Sequence, residues 1–378
     1  MSMQQVTQSF LVYDLTGSAA ILGTIALATG LPQLIVLLFG GAFADRFQKK
    51  RLLQMSQSAS AVVALIVVIA LTTGYMSIKH PGSWWVLIVA SILSGIFNGL
   101  AMPARQAMIP ELVSKEQVMN AVSLSTMGQN VFSLVGPAMA GFLIDAVGFK
   151  AVYCVMSGLY VVAVILTNFL PVTGKSLRGH STLVDVREGL KYIRGNTTIL
   201  IIIVFTLLCV LLAMPRIQMM PIFAKDILKV GATGQGVLQS VCGIGALIVS
   251  LTYASLPPKK RGIIMLCAGL NLGLAITVFA FSRSYPLSLG LMIFIGMGQT
   301  GHMTMGTILI QTLTDGAYLG RAMSILLMST ALGNLGTFFV GVIAQSVGAQ
   351  WAVGGFAMTL VLISILSLTF LPKIRKLD

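Results

Sequence analysis

An all-α protein built into a membrane is the fold class this sequence predicts, on three observations. Of its 378 residues, 56% are hydrophobic and only 9% are charged, whereas soluble domains carry about 25% charged residues. The apolar residues gather in runs of about 20 or more, the length a helix needs to cross a hydrocarbon core of ~30 Å. Those runs are rich in Gly, Ala and Ser, which let membrane helices pack closely. They lack the two-residue alternation of a membrane β-barrel.

In chain order, an apolar stub at 5–13 precedes eleven full spans. The first runs over 18–42 and ends in "GGAFADRFQKKR", where a greasy segment meets Asp45, Arg46 and further cations. The next four lie at 52–74, 84–108, 118–146 and 150–171. A polar stretch over 172–197 follows, the longest in the chain. Within it, Leu183, Val186, Leu190 and Ile193 share one helical face, with Arg187, Lys191 and Arg194 around the rest. This predicts an amphipathic helix on the membrane surface. The remaining spans lie at 198–224, 232–255, 262–282, 285–311, 318–346 and 350–371.

The net charge of +14 does not point to nucleic acid, because the cations lie in short loops between apolar spans. There they set orientation. With the Asp45 loop in the cytoplasm, about 18 Lys and Arg fall inside and about five outside, leaving Arg216 within a span. Lys49, Lys50 and Arg51 read as such orientation signals. The expectation is a multi-pass protein of the cell (inner) membrane, with the central loop and the C-terminus cytoplasmic. Cys154, Cys209, Cys242 and Cys267 fall inside apolar spans without metal-ligand or disulfide spacing. The first residues lack the basic region of a cleavable signal peptide.

The chain repeats itself. "SLVGPAMAGFLIDAVG" (133–148) matches "GNLGTFFVGVIAQSVG" (333–348), and "IPELVSKEQVMNAVS" (109–123) matches "IQTLTDGAYLGRAMS" (310–324). Gly136, Gly141, Val147 and Gly148 thereby find Gly336, Gly341, Val347 and Gly348. Gly23 and Gly30 find Gly236 and Gly243 at a shift of 213, and Asp14 finds Asp226 at 212. Two parallel six-helix halves related by a pseudo-two-fold axis follow, one of the repeat plans of secondary transporters. The halves run over 1–171 and 198–378, joined by a cytoplasmic linker at 172–197. The repeat also predicts an incomplete first helix: the sixth full span starts near Thr198, and the matching start in the first half would fall before Met1.

"GGAFADRFQKKR" resembles the signature loop of the major facilitator superfamily. Gly41, Asp45, Arg46, Lys49 and Lys50 fit it, and Gln48 stands where a second Gly is usual. "GPAMAG" (136–141), with Gly136, Pro137 and Gly141, resembles the core of that superfamily's antiporter-associated motif. "YDLTGSA", "MPARQAMIPELV" and "MNAVSL" resemble its efflux branch, which includes macrolide exporters and the enterobactin exporter. The resemblance implies the major facilitator fold and export by alternating access, coupled to protons. It implies a small-molecule cargo, a monomer in the lipid bilayer, and no metal or cofactor. It further implies a conformational gate in which Asp45 accepts hydrogen bonds from a helix start near Tyr318 to Gly320. A helix start offers free N–H groups and partial positive charge. Arg46 or Arg105 would hold the carboxylate.

Polar residues inside spans are the cargo candidates. Arg216, flanked by Pro215 and Pro221, lies well within the sixth full span. An Arg at mid-bilayer costs ~2.5–3.5 kcal/mol on insertion scales, so it should face the bundle interior, a partner or water. Asn98 and Gln299 are mates under the repeat, and Gln299 and His302 share a helix face. These four residues are expected to face a cavity near the midplane. Structural roles compete: a lipid-headgroup or carbonyl contact for Arg216, interhelical hydrogen bonds for the others. Methionines cluster nearby (Met214, Met219, Met220, Met297, Met303, Met305), suiting either an adaptable pocket or ordinary packing. A membrane enzyme would need paired carboxylates or HExxH at depth, and none occurs. No Walker-type glycine loop supports ATP hydrolysis. Export of small amphipathic molecules, of drug or siderophore type, is the leading reading. An importer on the same fold and a truncated inactive relative are the alternatives.

Overall fold

The computed structural model describes residues 2–46, 48–77, 80, 82–171, 191–255, 259–375 and 377. The described residues are almost wholly helical and contain no strand. Helix α1 (Ser2–Thr16) corresponds to the stub and is longer than expected. Then come α2 (Ala19–Arg46), α3 (Lys49–Thr72), α4 (Trp85–Leu112) and α5 (Val118–Asn168). The second half begins with α6 (Thr197–Ala213) and α7 (Pro215–Ile222). It continues with α8 (Gly231–Ser255), α9 (Arg261–Phe281) and α10 (Tyr285–Leu313). It closes with α11 (Gly316–Leu327), α12 (Ser329–Val347), α13 (Ala349–Phe370) and the short α14 (Pro372–Arg375).

Among the described residues, nine helices are long and apolar enough to cross a membrane. One of them, α5, is two spans: it breaks at Gly148, whose φ of 82° is left-handed. Its mate Gly348 has φ 87° and separates α12 from α13. Glycine adopts this region without steric cost, which is why both halves turn a corner there. The 29-residue α10 is long enough to span as well, and its Gln299, Thr300, His302 and Thr304 lower its hydropathy. The eleven full spans read from the sequence are all present as helices. Asn196 caps α6, its side chain accepting the Thr198 and Ile199 N–H groups at 3.2 and 3.3 Å. The amphipathic helix expected in the linker falls mostly on 172–190, outside the described residues; 191–195 are helical.

Two seams join the halves, α2 against α12 and α5 against α8. Each depends on glycines that bring backbones into contact. A Cβ on Gly141 would lie 2.2 Å from the Ala232 carbonyl oxygen, and one on Gly341 would lie 2.7 Å from that of Ala19. Gly236 lies against the Pro137 carbonyl, and Gly23 against that of Phe338. Gly243 packs on Leu134, and Gly30 on Asn334. The shifts of 200 and 213 carry Gly141–Ala232 onto Gly341–Ala19 and Gly243–Leu134 onto Gly30–Asn334, as a pseudo-two-fold interface requires, while Gly23 meets Phe338, one residue beyond the mate of Pro137.

They run from one end of the bundle, where α2 and α8 begin and the first arm of α5 and α12 finish, to about the middle of α2 and α8 at Gly30 and Gly243. This closed end also carries Tyr13 hydrogen-bonded to Asp226, and Lys225 paired with Asp14 at 2.5 Å. Residues 13 and 225, and 14 and 226, are again repeat mates. At the other end α5 stands away, leaving Met119, Leu124, Met127 and Phe132 exposed.

Candidate functional site

Arg216 is held by an irregular stretch of backbone. Helix α6 stops at Ala213, Met214 forms a step, and Pro215 opens α7. Proline suits a helix start because it has no N–H to leave unpaired. A π-turn, Phe223–Ile227, follows α7. The side chain is buried at 3% exposure. One guanidinium nitrogen donates to Gln299 Oε1 at 2.6 Å and lies 3.7 Å from Cys242 Sγ. Its Nε finds no hydrogen-bond partner among the described residues. A buried donor in that condition carries a desolvation cost of ~1–3 kcal/mol, and more when charged. The arrangement is chemically suited to accept an anionic or carbonyl-bearing group.

His302 lies on α10, three residues beyond Gln299, and is buried at 1% exposure. Its Nδ1 is 2.9 Å from the Gly298 carbonyl, so that nitrogen carries the proton. Its Nε2 has no partner among the described residues.

The sequence reading missed Gln235 and Gln239, which share a face of α8 with Cys242 at helical spacing. Gln235 is wholly buried, and both polar atoms of its side chain are unpaired among the described residues, as is Gln239 Nε2. Two amides at i, i+4 inside an apolar run were the available signal.

Asn98 is not brought beside Gln299. It lines a separate cavity of about 580 Å³ in the first half, with Arg105, Gln57, Gln129, Ser133 and Tyr160. Of its lining residues, Tyr160 donates to Gln4 Oε1 at 2.9 Å. Repeat mates are exchanged by the pseudo-two-fold axis, so they meet only if both lie near it. The methionines divide as well. Met219, Met220 and Met305 are buried in the core, Met219 and Met220 wholly so.

Of the gate, α2 runs through Gly41 to Arg46, but the side chains of Asp45 and Arg46 fall outside what is described. Arg105 is exposed at the cavity edge. The start of α11, the expected partner of Asp45, is held by the linker. Tyr192 stacks on Tyr318 with ring centroids 4.2 Å apart and donates to Asp315 Oδ2 at 3.1 Å.

The cations after Asp45 do more than orient the chain. Lys49 pairs with Glu111 on α4. Lys50 donates to the carbonyls of Asn168 and Leu170 at 2.8 and 2.6 Å, closing the C-terminal end of α5. The antiporter-like motif sits in the α5–α8 seam. A Cβ on Gly136 would meet Ser2 Oγ, while Pro137 and Gly141 make the backbone contacts already described.

Comparison with known proteins gives a consistent result. The sequence profile of the transmembrane secretion effector family matches residues 1–378. The multidrug efflux pump Tap of Mycolicibacterium fortuitum is 27% identical over 98% of this chain and 91% of its own length. The staphyloferrin A transporter of Staphylococcus aureus is 24% identical over 91% of this chain and 86% of its own. Among solved structures, a D-xylose-proton symporter superposes with a TM-score of 0.72 at 14% identity, covering 99% of this chain and 97% of that one.

Proposed function

We propose that this chain, which belongs to the transmembrane secretion effector family of the major facilitator superfamily, exports small amphipathic molecules of drug or siderophore type by alternating access, driven by protons. The observation that carries this reading is that the glycine contacts between the halves occupy one end and the middle of the bundle, while α5 is exposed toward the other end. Two bundles in backbone contact at one end and apart at the other can rock about a central site. The efflux names of the sequence relatives support the direction of transport.

In this reading the open end, the linker 172–197 and the C-terminus face the cytoplasm. The closed end faces outward. The rocking bodies are the halves 1–171 and 198–378 within one monomer of the cell membrane. Arg216 and Gln299 receive the polar or anionic part of the cargo, with His302 beside them and Asn98 on the opposing half. Met214, Met297 and Met303, which are only partly buried, accommodate its apolar part. Gly41, Asp45, Arg46 and Arg105 gate the cytoplasmic end, and the Gly136, Pro137 and Gly141 motif serves the outer closure.

The test is uptake into everted membrane vesicles energised by respiration, using a fluorescent drug and a carboxylate siderophore as cargoes. Accumulation that collapses with a protonophore and drops in Arg216→Gln at equal membrane abundance is the expected result. Accumulation of neither cargo, or accumulation insensitive to the protonophore, overturns the corresponding part of the reading.

A further inference from the structure

The two seams share close glycine approaches and differ in the polar contacts across them. The α5–α8 seam has Ala138 N–H donating to Ser240 Oγ at 3.1 Å and Thr233 Oγ1 donating to the Gly141 carbonyl at 3.4 Å, where the mates of Ser240 and Thr233 are Leu27 and Ala20. The acceptors at the seam ends differ too. Asp145 lies near the end of the first arm of α5 and crosses to the other half, where its Oδ2 accepts the Thr233 N–H at 2.7 Å. Its repeat mate is Gln345 on α12. Gln345 Oε1 accepts the Ala20 N–H at 3.4 Å and the Ser18 hydroxyl at 3.0 Å. Thr233 and Ala20 are mates at the shift of 213. Each seam is thus closed by a side chain of one half on the opening turn of a helix of the other. One of those side chains is a carboxylate and the other a neutral amide.

The receiving helices differ too. Helix α2 has its own cap, because Ser18 Oγ accepts the Ile21 N–H at 3.4 Å. Helix α8 is preceded by Val230, whose carbonyl accepts the Gly234 N–H but whose side chain offers no acceptor. The opening turn of α8 therefore takes its side-chain acceptor from across the seam. Gly231, with φ 66°, leads the chain into α8 beside the Asp145 carboxylate. A carboxylate at a helix start gains from both the free N–H group and the helix dipole. An amide gains only the hydrogen bond.

We infer that Asp145 is a positioning residue for transport: it latches the α5–α8 seam from across the molecule, so that seam holds the closed end while the α2–α12 seam yields first. This rests on the alternating-access reading for its role in the cycle, but its structural content can be tested alone.

The experiment is hydrogen–deuterium exchange with mass spectrometry on the full chain in lipid nanodiscs, paired with the vesicle assay. In Asp145→Ala, amide exchange is expected to rise about 5-fold over 232–238, and over the facing segment 137–145 as well. In Gln345→Ala, exchange over 19–25 rises less than 2-fold, because Ser18 still caps α2. Asp145→Glu restores protection. Val230→Ser in the Asp145→Ala background gives α8 its own cap. It is expected to re-protect 232–238 but to leave 137–145 exchanging fast.

Equal effects of Asp145→Ala and Gln345→Ala overturn the inference, and so does recovery of 137–145 by Val230→Ser, which would make the contact a local cap. The two readings fail separately. A chain that transports but shows no exchange change in Asp145→Ala loses the latch and keeps export. A chain with the exchange pattern but no transport of either cargo keeps the latch and loses export.

Discussion

The α2–α12 and α5–α8 seams are two readings of one design. Their close approaches correspond, with Gly141 on Ala232 answering Gly341 on Ala19, and Gly243 on Leu134 answering Gly30 on Asn334. Their chemistry is not shared. One ends in Asp145 on a helix start and the other in Gln345. Likewise Asp226 receives a tyrosine hydroxyl, while its mate Asp14 receives a lysine. Backbone contact leaves almost no freedom at Gly141, Gly236 and Gly341, where a Cβ would collide with backbone, so a small residue is required there in both halves. Polar contacts at the rim tolerate exchange, so they could diverge and make the two sides unequal.

Five substitutions break or sharpen that comparison. The largest effect belongs to Gly141→Leu. Its side chain would start 2.2 Å from a backbone oxygen that cannot move aside, and overpacking of this kind costs about 1–3 kcal/mol or more. Transport and thermal stability in detergent should both fall. The mate substitution Gly341→Leu, starting from 2.7 Å, should cost less. The reverse order would show that the seams do not share a geometry.

Arg216→Gln comes next. Hydrogen bonds to charged groups contribute ~1.5–3 kcal/mol, so uptake of an anionic cargo should fall about 10-fold or more. Uptake of a neutral drug should fall less, and equal losses would return Arg216 to a structural role.

Asp145→Gln makes the two seams chemically alike. It should weaken the closed end by ~0.3–2 kcal/mol, read as a change in the cargo dependence of exchange over 137–145. The smallest effect is expected from Lys225→Gln. Its ion pair with Asp14 is 43% and 36% exposed at the two side chains, and exposed pairs contribute about 0–1 kcal/mol. Transport within about 2-fold of the parent is expected.

Much of the architecture was legible because hydrophobic length and glycine placement report it directly. The break between the spans ending at 146 and starting at 150 falls at Gly148, where a left-handed residue was needed. The shifts of 200 and 213 anticipated the seam pairs, since close approach requires a missing Cβ at both mates. The step at Met214 and the π-turn after α7 were not legible, because each depends on how neighbouring helices seat the chain. The role of Lys50 was hidden for a similar reason: its partners are backbone carbonyls at 168 and 170, which no side-chain pattern reveals.

At the site, Arg216 and Gln299 were both found in the sequence, because polar residues stand out in apolar runs. Their pairing across α7 and α10 was not, and neither was the separation of Asn98 from them. Gln235 and Gln239 were overlooked because amides carry no charge to draw notice. The contact from Asp145 to α8 could not be read at all, since it requires knowing which helix starts beside which helix end.

The central claim is that the halves part at the closed end during transport. Distance measurement between spin labels at Thr73→Cys and Arg283→Cys tests it most directly. Both positions are exposed, on opposite halves, at that end. The four native cysteines are replaced by serine, and the chain is kept in lipid. Two distance populations are predicted, with cargo changing their weights and Asp145→Gln enlarging the longer one. A single distance, unmoved by cargo and by that substitution, would contradict the account.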